Sequence, residues 1–262
     1  MAALELKSGG RLGVVVLDGG QRILGHRPDE RFAMCSTFKL LLAGMVLDGQ
    51  ARGQLKLGDL LPLTAKDLVF NSPVAEQRLA AGRISIGEAA RAAVTVSDNA
   101  AANLLLRRLG GPAALTGWLR SHGDRVTRLD RYEPILNENA KGDPRDTTTV
   151  AAMAATSHAL VFGDWLPAAE RATLRDWLLA STTGTKRIRA GLPAGWVVGD
   201  KTGTCGGNAP SYNDIAFVFP EPGKRGGNTI AVYLDSPRVE GDAASAVIAG
   251  SARLASGLIA AR

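Results

Sequence analysis

Residues 195–204 read GWVVGDKTGT, residues 214–220 read DIAFVFP and residues 229–235 read TIAVYLD. Each is a short run rich in Val, Ile and aromatic residues, and Gly, Pro and Asn separate them, which is the signal of successive strands. Residues 12–18 (LGVVVLD) and 22–26 (RILGH) are two more such runs, joined at Gly19-Gly20, a hairpin signal. Strand signal therefore sits at both ends of the chain. Between about residues 28 and 185 the periodicity is helical, over Thr37–Leu47, Ile86–Val94, Asn99–Leu109, Pro112–Ser121, Thr148–Ala159 and Ala168–Ala180. After the last strand, the Ala-rich segment Ala243–Ala261 reads as a packed helix. The expected fold is α/β of the α+β type: an antiparallel five-stranded sheet from both termini, flanked by helices, with an all-helical lobe inserted. On this reading residues 1–28 and 185–262 form the sheet lobe, residues 29–184 the helical lobe, and the cleft between them holds the site.

The chain has 262 residues, 45% hydrophobic and 21% charged, enough for one large domain or two lobes sharing an interface. The formal charge of +6 would suit anionic partners, but Lys and Arg are scattered and aromatics are only 5%. No basic tract is interleaved with stacking residues, so no nucleic-acid partner is expected. His26, His122 and His158 are far apart and lack metal-ligand spacing, and neither a metal nor a cofactor is implied. The longest apolar run, around Leu40–Leu47, is interrupted by Gly44 and reads as a buried helix, so no membrane span is expected. The N-terminus shows no signal-peptide pattern. On composition alone, Cys35 and Cys205 are equally two buried thiols or a bonded pair.

Three short motifs carry chemistry. Ser36-Thr37-Phe38-Lys39 places a hydroxyl and an amine three residues apart at a helix start, on one face. Such a lysine can deprotonate the serine if burial lowers its pKa, and the helix N-terminus offers N–H groups to an oxyanion. Alone it reads sooner as an N-cap serine beside a solvated lysine. Ser97-Asp98-Asn99 falls at a junction between two helices, where polar residues usually cap. Lys201-Thr202-Gly203-Thr204 falls on an edge-strand candidate where Gly203 would let a ligand approach the backbone. The three together, in this order and on these elements, decide the reading.

The set S-x-x-K, S-D-N and K-T-G resembles class A serine β-lactamases and penicillin-binding proteins, and the resemblance covers nearly the whole chain. Residues 131–137, RYEPILN, resemble the class A omega loop, here spanning 131–146. The resemblance implies that Glu133 and Asn137 hold the deacylating water, that Arg131 and Asp146 form an ion pair pinning the loop, and that the Glu133–Pro134 bond is cis. It implies Ser36 as nucleophile, with Lys39 or Glu133 taking its proton, and the backbone N–H groups of Ser36 and Thr204 as the oxyanion hole. Ser97 would relay a proton to the lactam nitrogen. Asn99 would hold the acyl amide, and Asn103 would support the lysine–glutamate network. Lys201, Thr202, Gly203, Thr204 and Arg187 would form the substrate-carboxylate side. Cys35 and Cys205 flank the active residues as in the class A carbapenemase subgroup, where the pair is a disulfide. Two departures stand out: Asn71 where relatives often carry a rim aromatic, and Val150 where proline is common. The implied activity is hydrolysis of penicillins and cephalosporins, with carbapenems as the further expectation, by a monomer that is periplasmic or secreted. The rival activities are a D,D-peptidase, against which Glu133, Asn137 and the lack of an expected membrane anchor argue, and a sensor that is acylated once by a β-lactam, a type that usually carries membrane segments not expected here.

Overall fold

The computed structural model describes residues 1–206, 209–220 and 227–262. The chain runs α1 (Ala2–Ser8), β1 (Arg11–Asp18), β2 (Gln21–His26), β3 (Arg31–Ala33), α2 (Phe38–Ala51), β4 (Leu60–Pro62), α3 (Pro73–Arg78) and β5 (Arg83–Ser85). It continues α4 (Ile86–Thr95), α5 (Asn99–Arg108), α6 (Pro112–Ser121), β6 (Thr147–Thr149), α7 (Val150–Val161) and α8 (Ala168–Leu179). It ends α9 (Ile188–Gly191), β7 (Val197–Cys205), β8 (Ser211–Phe219), β9 (Asn228–Asp235) and α10 (Gly241–Ala260).

The five-stranded sheet has the order β2-β1-β9-β8-β7, with antiparallel pairs throughout. Pairing of β1 with β9, in which Val14 faces Val232, joins the two ends of the chain. Side chains alternate between the two faces. Leu12, Val14, Val16, Ile230, Val232 and Leu234 pack with Ala244, Ile248 and Ala252 of α10. Val15, Leu17, Ile215, Phe217, Ala231 and Tyr233 merge instead into the apolar core of the helices, with Phe38, Leu41, Met153 and Leu178. The strand β7 is an edge of this sheet, as its sequence suggested.

Helix α2 is buried on nearly every side. Gly44 does not interrupt it: a Cβ there would stand 2.8 Å from Leu160 Cδ2, so the glycine lets α7 pack closely. Two sequence expectations are corrected. The helix placed at Thr148–Ala159 starts at Val150, because Thr147–Thr149 pair with Arg31–Ala33 as a short ribbon and Thr149 caps the helix, its hydroxyl accepting from Ala152 N at 3.1 Å. The apolar run Leu40–Leu47 lies in the buried α2, but it is not the segment of greatest membrane-spanning length. What the sequence reading missed is the 20-residue α10, which, although Asp242 and Arg253 interrupt it, is long and apolar enough by composition to cross a bilayer, and is more than half buried within the protein.

Candidate active site

Ser36 lies in a single 3-10 turn (Cys35–Thr37) that runs directly into α2. The sheet holds this turn from below. Thr37 Oγ1 donates to Met34 O at 2.8 Å, so the Tyr233 hydroxyl, 2.8 Å away, is the donor to Thr37. Burial pushes the Tyr233 phenol up, which keeps that proton in place. Asn213 Nδ2 donates to Ala33 O and Met34 O at 2.9 and 3.2 Å. A Cβ on Gly203 would stand 2.8 Å from Met34 O and 3.2 Å from Cys35 Cβ. Gly203 therefore admits the serine turn against β7, a close approach by the protein's own backbone. Cys35 and Cys205 are disulfide-bonded, with Cα atoms 5.5 Å apart, and tie the turn to the end of β7.

Lys39, the second residue of α2 and three residues after Ser36, is completely buried. Its Nζ donates to Ser36 Oγ at 3.0 Å, to Ser97 O at 2.9 Å and to Ser97 Oγ at 3.3 Å, and it makes a very short contact with Asn99 Oδ1. Glu133 Oε1 is 3.0 Å from the same nitrogen. Ser36 Oγ in turn donates to Glu133 Oε1 at 3.2 Å. The serine hydroxyl thus touches a lysine and a glutamate at once. Loss of hydration lowers the Lys39 pKa, and the Glu133 carboxylate opposes that shift.

Glu133 sits on the long connection before β6, next to a cis bond to Pro134. Its side chain is held from the far side by Asn137, whose Nδ2 donates to Oε2 at 2.6 Å. Its backbone is clamped by Asn103 of α5: Nδ2 donates to Glu133 O at 2.8 Å and Oδ1 accepts from Glu133 N at 3.0 Å. The loop closes on itself through Asp146, which accepts from Asp130 N (2.7 Å), Arg131 N (3.0 Å) and Arg131 Nε (2.5 Å). Asp146 is 1% exposed, so this pair lies in the buried regime in which removal of one partner is strongly destabilising.

On the opposite side, Lys201 of β7 is also fully buried and donates to Ser97 Oγ at 3.1 Å and Thr202 O at 2.7 Å. Burial, reinforced by the nearby Lys39 charge, pushes its pKa down to about 7. Thr202 Oγ1 meets Thr183 Oγ1 at 2.7 Å. Arg187 donates to Gly203 O (2.8 Å), Asn213 O (2.7 Å) and Thr204 Oγ1 (2.6 Å), so it fixes the strand end that carries Thr204. Asn71 folds back on the junction, its Nδ2 donating to Ser97 O at 2.9 Å. Ser36, Lys39, Ser97, Asn99, Glu133, Asn137 and Lys201 thus form one connected set of side-chain contacts, while Arg187 and the Arg131–Asp146 pair hold the backbone around it. Cys35, Asn71, Ser97 and Asp146, all beside the site, hold positive φ of 47°, 58°, 59° and 56°. Strained backbone of this kind persists where surrounding bonds over-determine it.

Among the described residues no group of three or more His, Cys, Asp or Glu could hold a metal ion. An open cavity of about 720 Å3 lies behind the loop, lined by Arg11, Arg31, Asn139, Pro144 and Asp235 among others; it touches Ala33 below the serine turn but none of the site residues named from the sequence.

With the geometry in hand, comparison with known proteins is direct. The model of the β-lactamase enzyme family matches residues 1–258. The chain belongs to the class A β-lactamases. It is 48% identical over 240 residues to β-lactamase FAR-1 of Nocardia farcinica, covering 91% of this chain and 74% of that protein. It is 45% identical over 258 residues to the carbapenem-hydrolysing β-lactamase KPC of Klebsiella oxytoca, covering 97% and 86%. The solved structure of an ancestral class A β-lactamase superimposes with a TM-score of 0.93 at 54% identity, covering 100% of this chain and 98% of that one. β-Lactam hydrolysis through a serine is the activity of the family.

Asp98, in the junction motif, caps as polar residues at such a junction do, accepting from Ala101 N of α5 (2.8 Å) and also from Val74 N and Ala75 N of α3 (2.8 and 3.0 Å). Sequence reading passed over several other residues that build this β-lactamase site. Asn213 and Tyr233 hold the serine turn. Asp200 pairs with Arg189, and Asp214 accepts from Ile188 N at 3.0 Å. Burial raises the pKa of both carboxyls, that of Asp214 to about 8. A signal existed: carboxylates directly before KTG and at the head of an apolar strand are charges in segments otherwise read as core.

Proposed function

We propose that Ser36 is the nucleophile that opens the lactam ring and that Glu133 is the base that drives water onto the resulting ester. The supporting observation is the position of Ser36 Oγ, 3.0 Å from Lys39 Nζ and 3.2 Å from Glu133 Oε1. In acylation the serine proton passes to Lys39 or to Glu133 as the Oγ–C bond forms, and the N–H groups of Ser36 and Thr204 stabilise the oxyanion. Ser97 gives its proton to the departing lactam nitrogen and is refilled from Lys39 or Lys201, both hydrogen-bonded to its Oγ. Asn99 holds the acyl amide. Lys201, Thr202 and Thr204 hold the substrate carboxylate, with Arg187 fixing their strand and Asn71 at the rim. In deacylation Glu133 takes a proton from a water shared with Asn137, the hydroxide attacks the ester carbonyl, and Ser36 Oγ leaves with a proton from Lys39. Asn103, Pro134, and the Arg131–Asp146 pair keep Glu133 in place.

The reading extends to a working division into a sheet lobe (1–28 and 185–262) and a helical lobe (29–184), with chemistry between them. It includes carbapenem turnover, supported by the Cys35–Cys205 disulfide and the similarity to KPC. The disulfide also suits an oxidising compartment, the periplasm or the exterior, where the chain acts as a monomer. The test mixes protein with excess benzylpenicillin and follows ring opening by absorbance and protein mass together. Many turnovers with transient acylation are expected; a single equivalent consumed with a lasting mass increase refutes the role of Glu133. Glu133→Ala is expected to accumulate the acyl-enzyme, and fast turnover by that variant would sink the assignment.

A further inference from the structure

Asp214 is completely buried in β8, and the residues that follow it, Ile215 to Val218, are apolar core. Its Oδ2 accepts from Ile188 N at 3.0 Å, and its Oδ1 has no partner among the described residues. Arg189, one residue beyond Ile188, pairs with Asp200 instead. A carboxyl taken out of water with so few partners costs stability, so its place in the strand calls for an explanation.

What the carboxyl holds is the start of α9. Ile188 is the first residue of that helix, and its N–H is one that a helix leaves without an intrahelical partner. The far end of α9 is fixed by packing, since Gly191 has no room for a Cβ beside Ala249 O of α10. Arg187, directly before Ile188, is 8% exposed, and its guanidinium donates to Asn213 O, Gly203 O and Thr204 Oγ1. Asn213 and Asp214 are consecutive. One of them therefore holds the head of Arg187 through its carbonyl, and the other holds the backbone beside it through the Ile188 N–H. An arginine has no acceptor atom, so Thr204 Oγ1 is the acceptor in its bond to Arg187, and the hydroxyl hydrogen is turned elsewhere. Thr204 is exposed, which leaves that hydrogen free for a substrate oxygen.

We propose that Asp214 is a positioning residue for recognition of the substrate carboxylate: by holding the first N–H of α9 it aims the Arg187 guanidinium at Thr204. The proposal rests on the reading of Lys201, Thr202 and Thr204 as the carboxylate side of the site. Loss of one neutral hydrogen bond corresponds to about 2- to 10-fold in binding, and loss of one made by a charged group to about 10- to 100-fold.

The test compares benzylpenicillin with its methyl ester, in which the carboxylate is masked. The quantity read is the ratio of their kcat/KM values on one protein sample, so that any loss of folded enzyme cancels. It is measured in the wild type and in Asp214→Ala, Asp214→Val, Asp214→Asn and Arg187→Ala. The ratio is expected to fall about 10- to 100-fold in Arg187→Ala and about 2- to 10-fold in Asp214→Ala, mainly through KM for benzylpenicillin. Asp214→Val, which fills the space with apolar atoms, is expected to behave as Asp214→Ala does. Asp214→Asn, which keeps an acceptor for Ile188 N, is expected to keep the wild-type ratio. A ratio that falls in Arg187→Ala but holds in Asp214→Ala and Asp214→Val overturns the proposal alone, as does one that falls equally in Asp214→Asn. A ratio that holds in all four overturns the reading of the carboxylate side beneath it.

Discussion

Replacing Asn103 by Ala removes both hydrogen bonds that clamp the Glu133 backbone, at 2.8 and 3.0 Å, from a site only 5% exposed. The peptide N–H and C=O of Glu133 would be left buried without partners, each at a cost of about 1–3 kcal/mol. Water entering the vacated space offsets part of this, so a loss of about 2–4 kcal/mol is expected. For a chain of this size that is a fall in Tm of roughly 4–16 °C. The chemical effect should be uneven. Lys39 still reaches Ser36 and Ser97 without Asn103, so acylation should survive. Deacylation needs Glu133 and Asn137 registered against a water, and a shift of about 1 Å there is worth about 100-fold. The assay is thermal melting together with stopped-flow turnover of a chromogenic cephalosporin. Asn103→Ala should show a pre-steady-state burst, then a slow steady state, with acyl-enzyme visible by mass. A variant that melts like the wild type and shows no burst would refute the view that Asn103 positions Glu133. Asn103→Ser, which retains one hydrogen-bonding atom, should lie between.

Two further outcomes follow from the electrostatics and the crosslink. Lys201, held at about 7 by burial beside Lys39, loses its charge as pH rises through neutrality. For substrates bearing a carboxylate, kcat/KM should therefore fall above about pH 7, chiefly through KM, and a flat profile from pH 6 to 9 would contradict this. The sign for stability is opposite: between pH 7 and 10.5 the unfolded chain holds more protons at this lysine than the folded one, so this group adds stability as pH rises. The Cys35–Cys205 bond spans a sequence separation of 170, for which chain entropy gives up to about 5 kcal/mol. The double variant Cys35→Ala/Cys205→Ala should melt at least several degrees lower; an unchanged Tm would show that packing of the turn against β7 suffices without the bond.

The parts legible in the sequence were those with a local signature. Strand runs, the Gly19-Gly20 hairpin, the three motifs and the residues of the 131–146 loop could all be read one window at a time, and the structure brings the named side chains together. What escaped was information about approach between distant segments. Gly44 reads only as an interruption of an apolar run, yet its meaning is the side chain of Leu160 on another helix. Gly203 reads as room for a ligand, yet the nearest atoms to its missing Cβ belong to Met34, Thr37 and Cys35. Thr148 and Thr149 read as the start of a helix because the ribbon partner, Arg31–Ala33, lies over a hundred residues away. Helix α10 was underestimated because its Gly, Ser and Ala residues dilute the apolar run that its Val, Ile and Leu residues make.

The two buried lysines suggest why one site can both bind an anion and move protons. Desolvation destabilises each ammonium, and each is compensated differently. Lys39 has a carboxylate 3.0 Å away, so its charge is matched whether or not substrate is present, and its proton can move along the short path to Ser36, Ser97 and Glu133. Lys201 has, among the described residues, no carboxylate within 4.0 Å. The nearest acids are otherwise engaged, Asp200 with Arg189 and Asp214 with the N–H of Ile188. They sit close enough to raise its pKa by charge, but not close enough to quench it, and the result is a lysine near 7. A substrate carboxylate arriving at Lys201 supplies the missing partner, draws the lysine to its charged form and neutralises it in the same step. Binding and protonation are then one linked equilibrium. Ser97 Oγ accepts from both lysines, and on the proposed reading it is the hydroxyl that joins the anion-binding side to the proton-transfer side.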